Sequence, residues 1–79
     1  MSGKIIDGAT LRRSRLIDLI QQIHVHKGMS TVSCQEYMMM HYGLKWETTL
    51  GYLRELMLAH IIFDKDGRWI VRNLPKDLF

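Results

Sequence analysis

Apolar positions along the chain fall into three helical stretches followed by two alternating ones. Leu16, Leu19, Ile20 and Ile23 recur at spacings of three, four and seven, the signature of one buried helical stripe. This predicts a first helix over 11–27, "LRRSRLIDLIQQIHVHK", capped by Thr10 at its start and by Gly28 at its end. "MSTV" reads as a short extended segment. Ser33 followed by Glu36 reads as a capping box that opens a second helix over about 34–42, burying Tyr37, Met38 and His41 and stopping at Gly43.

A third helix, 46–59, follows after Gly43, Leu44 and Lys45. Its expected buried stripe is Trp46, Thr49, Leu50, Leu53, Leu56 and Met57, with Glu47, Thr48, Gly51, Arg54, Glu55 and Leu58 opposite. Two helices joined by so few residues predict the helix-turn-helix arrangement. After His60 the period shortens to two. "HIIF" and "RWIVR" read as strands around Asp64-Lys65-Asp66-Gly67, with Gly67 closing the hairpin, and Trp69 and Val71 facing away from Arg68, Ile70 and Arg72. Residues 1–9 read as an N-terminal arm, 10–73 as one domain and 74–79 as a tail.

Composition narrows the function classes. The chain has 79 residues, and domains of such length bury only about 60% of the surface that their unfolded chains expose. With 47% apolar residues and one proline, a packed globule is expected rather than disorder. One cysteine, Cys34, excludes an internal disulfide framework and points to a reducing, cytoplasmic setting; a bridge between two chains stays open. No apolar run reaches the ~20 residues that span a bilayer, and no secretory leader is expected. The net charge of +3 is compatible with a polyanionic partner.

Helix, short strand, helix, three-residue turn, helix and hairpin together resemble the winged helix-turn-helix family, from Val32 to Arg72 without a gap. Gly43-Leu44-Lys45 stands at the family's Gly-Leu-Ser turn, Thr48-Thr49 at its Thr-Val pair, Leu53 and Leu56 at its leucines, and His60-Ile61-Ile62 at its Gly-Leu-Ile. The wing is "FDKDGRWIVR". The resemblance implies an α+β, mostly α fold: three helices, a short strand and a C-terminal β-hairpin wing. It also implies a double-stranded DNA-binding protein, a homodimeric transcriptional regulator whose third helix enters a major groove. The carried-over contact positions are Lys45, Trp46, Thr48 and Arg54 on or before that helix and Lys65, Arg68 and Arg72 on the wing. The first helix with the tail or the arm would join the two subunits. Leu50 and Gly51 stand where the family often has polar or basic residues, Glu47 would accept only from cytosine, and Met38 replaces a small residue.

Other features have both a functional and a plain reading. Arg12, Arg13 and Arg15 crowd the first turn of the first helix, against the helix dipole, which suits either an anionic partner or a solvated helix start. Met38–Met40 cannot all face inward, so Met39 or Met40, with Tyr42, Leu58, Ile17, His24 and Val25, is a candidate protein-contact surface. This feeds the alternative reading, a protein-interaction module within a larger nucleic-acid-processing assembly. No metal site is expected, because His24 and His26 diverge on a helix and Cys-x-x-Cys is missing. Cys34 reads as a small buried hydrophobe. With no glycine-rich phosphate loop and no spaced carboxylate pair, neither an enzyme, a cofactor nor a small-molecule substrate is expected.

Overall fold

A computed structural model describes residues 8–74, with side-chain surroundings from residue 11 onward. Three helices, α1 (Gly8–Val25), α2 (Thr31–Tyr42) and α3 (Trp46–Leu58), precede an antiparallel hairpin of β1 (Ile62–Lys65) and β2 (Arg68–Val71). This is a mostly helical α+β fold of winged-helix topology. The expected strand between α1 and α2 shrinks to one residue: Met29 pairs with Trp69 on the open edge of β2, exchanging N–H···O bonds of 3.0 and 2.7 Å. Residues 1–7 of the expected arm and 75–79 of the expected tail lie outside the described residues.

The core is the meeting point of one face from every element. Leu19, Ile20 and Ile23 of α1, Met38 and Cys34 of α2, Leu53 and Leu56 of α3 and Ile62 of β1 are buried together. Each large aliphatic side chain among them contributes roughly 1.5–3 kcal/mol by leaving water. On α3 the buried stripe is Thr49, Tyr52, Leu53 and Leu56. Trp46, Leu50 and Met57, expected inside, are exposed instead. The stripe is rotated toward Tyr52, which fits the same three-and-four spacing from the other flank and packs in the core. His41, also expected inside, is exposed and lies against the Tyr37 ring with centroids 4.1 Å apart.

Helix ends differ from expectation for local reasons. α1 starts at Gly8, so Thr10 lies within it rather than capping it. Its end is closed by Lys27, which takes the left-handed conformation at φ 57°, with Lys27 N–H bonded to His24 O and Gly28 N–H to Ile23 O. α2 begins at Thr31, three residues before the expected start after Ser33. Ser30 is the extended N-cap, its hydroxyl oxygen accepting from Ser33 N–H at 3.1 Å, and so Thr31 and Val32 belong to the helix rather than to a strand. α2 ends as expected at Gly43, left-handed at φ 67° and donating to Met39 O at 2.8 Å. α3 ends at Leu58, and His60 occupies the left-handed position at φ 63°, where the resembled family carries glycine.

The first strand begins and ends two residues later than read, whereas the second begins at Arg68 as read and ends one residue earlier, at Val71. β1 runs through Asp64 and Lys65, and the turn is only Asp66-Gly67, at φ 54° and 83°. Both central residues having positive φ makes this the two-residue turn whose twist matches that of the flanking strands. Register pairs Lys65 with Arg68 and Ile62 with Val71. Trp69 and Val71 pack on the core, as the alternation requires.

Candidate nucleic-acid interface

The candidate surface starts at the turn between α2 and α3. Gly43, Leu44 and Lys45 connect the helices, Lys45 is the extended N-cap of α3, and Gln35 Nε2 donates to Trp46 O at 3.3 Å across the junction. Glu47, Thr48, Gly51, Arg54, Glu55 and Leu58 all lie on the exposed side of α3. Lys45, Thr48 and Arg54 therefore share an open surface, as the sequence implied. Trp46 joins them at 44% exposure, although it had also been expected in the core.

Among the cations the surroundings are unequal. Arg12 of α1 reaches across to α3, where its guanidinium makes a two-pronged ion pair with the Glu55 carboxylate and lies 5.1 Å from the Tyr52 ring centre. The hydrogen bond from Arg12 lowers the Glu55 pKa, and the same bond raises that of Arg12. Arg12 is thus a strut between α1 and α3 that also neutralises a carboxylate beside the candidate surface. Arg13 is exposed next to it. Arg15 turns elsewhere, over the Tyr42 ring at 5.5 Å.

On the hairpin, Lys65 is exposed one residue before the turn. Arg72 is exposed with its guanidinium 5.0 Å from the Phe63 ring centre. Arg68 Nη2 donates to Gly28 O at 2.6 Å, tying the wing to the end of α1. Three cations against the exposed carboxylates of Asp64 and Asp66 leave the hairpin one net positive charge, less basic than its arginines suggest.

The hairpin is fastened from the same side at two further points. Trp69 Nε1 donates to Thr31 Oγ1 at 2.9 Å, beside the Met29–Trp69 pairing. Gly28 lies under the hairpin side chains: a Cβ there would come 2.6 Å from Ile70 Cδ1 and 3.4 Å from Arg68 Nε. Its φ of 122° is a second reason for glycine, so this residue serves close packing rather than the helix cap assigned to it. A shallow cleft of about 480 Å³ opens here, lined by His26, Ser30, Ser33 and Arg68. Sequence reading missed Ser30 and His26 as neighbours of the wing, since only the Met29 pairing brings them there.

Away from this surface, Asp18 of α1 accepts from Tyr37 Oη at 2.8 Å and from Tyr42 Oη, both on α2. Burial pushes the Tyr37 phenol up to about 12, and the Asp18 hydrogen bond does the same for Tyr42. Cys34 is fully buried, and desolvation pushes its thiol up to about 12. A thiol so enclosed is unavailable for a bridge between two chains, which removes the possibility left open by composition. Met39 and Met40 are both exposed. Among the described residues no group of three or more His, Cys, Asp or Glu is placed to hold a metal ion, and no helix is long and apolar enough to cross a membrane. Compared with known proteins, the chain matches no family model, no curated protein and no solved structure.

Proposed function

We propose that this chain is a double-stranded DNA-binding protein of the winged helix-turn-helix family, acting without catalysis as a homodimeric transcriptional regulator. In this reading α3 enters a major groove, Lys45, Thr48 and Arg54 contact DNA there, and Lys65 and Arg72 meet the backbone beside it. Arg12 and Arg68 act first as struts, and Arg13 supplies charge near the start of α1. The observation that carries the reading is the uncovered outward face of α3. It follows the three-residue turn, and no described side chain pairs with the side chains of Lys45, Arg54 or Lys65. Exposed Leu11 and Val25 on α1 and Leu74 beyond the hairpin support a second copy docking along α1.

Titration of random duplex DNA at two salt concentrations tests the proposal. Three or four phosphate contacts would weaken binding roughly 40- to 150-fold for a fourfold rise in salt. Binding that ignores salt, or no binding at the lower salt, overturns it.

A second reading, a protein-interaction module in a nucleic-acid-processing assembly, draws on the exposure of Trp46, Leu50 and Leu58 beside Glu47. Arg54→Ala with Lys65→Ala separates the two. Neither side chain is used inside the described fold, so a DNA-binding protein loses affinity for duplex whereas an adaptor keeps its partner. Arg68→Ala is a poor choice, because it also cuts the tie to Gly28.

A further inference from the structure

Glu47, Leu50, Gly51, Arg54 and Leu58 recur at spacings of three, four, seven and eleven and form the outward stripe of α3. Only two of these five carry a polar side chain. Leu58 is 69% exposed and Leu50 39%, with Trp46 at the head of the helix. In front of Gly51 the space is open, with nothing within 4 Å of where a Cβ would stand, so another molecule can approach the helix backbone closely. Such a surface is poorly equipped to satisfy the hydrogen-bonding edges of G·C pairs. Pressing N7, O6 and N4 groups against leucine would strip them of water with no replacement.

Resting on the reading that α3 enters the major groove, we propose that its outward stripe selects DNA rich in thymine through the C5-methyl group. That methyl is the one apolar feature a base pair presents on the major-groove floor. Leu50 and Leu58, about two turns apart on the helix, each cover one such methyl, and Gly51 lets the backbone come near. Charge complementarity fits the same occupant. Lys45 stands at the N-terminal end of the stripe and Arg54 within it, placed for the phosphates that line the groove, and Arg12 neutralises Glu55 at its margin. A purely apolar protein partner would leave those cations unmatched.

The test compares equal-length duplexes of alternating adenine–thymine, alternating adenine–uracil and alternating guanine–cytosine at one low salt concentration. The first two differ only by the methyl. Removal of each contacted methyl is expected to weaken binding about fourfold, from the transfer energy of one such group. Leu50→Ala should bring the thymine-to-uracil ratio toward one, whereas Lys45→Ala should weaken both duplexes and leave the ratio unchanged. Both positions are exposed, and thermal melting of each variant verifies its fold. Binding that is equal for thymine and uracil duplexes overturns the methyl reading and leaves DNA binding standing. Failure of all three duplexes to bind overturns both.

Discussion

Thr49 sits at 0% exposure in the core face of α3 with its hydroxyl oxygen unpaired among the described residues. A buried hydroxyl without a partner costs about 1–3 kcal/mol, and valine has nearly the same shape. Thr49→Val is therefore expected to stabilise the protein by about 1 kcal/mol, read as a rise in midpoint denaturant concentration at unchanged slope. His60 offers a second gain of the same kind. A side chain bearing Cβ at φ 63° is strained, and His60→Gly relieves it. Allowing for the freedom that glycine adds to the unfolded chain, a gain of about 0.5–1 kcal/mol is expected. Gly28→Ala goes the other way, by about 2–3 kcal/mol, since φ 122° and the Ile70 methyl both exclude a Cβ. Thermal melts of the three variants give the signs directly. Lys27 could not be recognised as left-handed from sequence, because its side chain has no special turn chemistry; at His60 the sign was the glycine that the resembled family carries there.

The five principal elements and their order were legible in the residue pattern; their rotations and fastenings were not. On α3 two stripes were available, one with Trp46, Leu50 and Met57 and one with Tyr52, and periodicity alone could not choose between flanks of similar hydrophobicity. Ser30 and Ser33 are both competent caps, and only the extended backbone at Ser30 decides. Asp64 and Lys65 hid the end of β1, since polar residues are ordinary on an exposed strand. The candidate surface was legible where it depends on local spacing, as with Lys45, Thr48 and Arg54. It was not legible where partners are far apart in sequence, as with Arg12 and Glu55 or Arg68 and Gly28. The α1–α2 contact has its own consequence for pH. Tyr37 and Tyr42, both raised to about 12 from an ordinary 10.0, bind protons more tightly folded than unfolded. Their contribution is fully present below pH 10 and is lost as pH rises toward 12. Absorbance titration should show two tyrosines ionising late in the native protein, and Tyr37→Phe should leave one; ionisation near 10 for both would contradict the Asp18 clasp.

For the molecule as a unit, the hairpin is held by its own strand pairing, by core packing and by its attachment to the α1–α2 junction through Met29, Thr31 and Gly28. A two-stranded ribbon alone is marginal in water. Contacts made by the wing are therefore coupled to the packing of α1, and any dimer formed along α1 would feel them. The two tryptophans divide along the same line. Trp69 is half-buried and hydrogen-bonded at that attachment, while Trp46 stands open to solvent at the lip of α3. The protein thus carries two built-in optical reporters of different exposure. A neutral collisional quencher should extinguish the emission of Trp46 first. On the proposed reading, duplex DNA shields Trp46 and leaves Trp69 unaltered, so binding at α3 can be followed without attaching a dye.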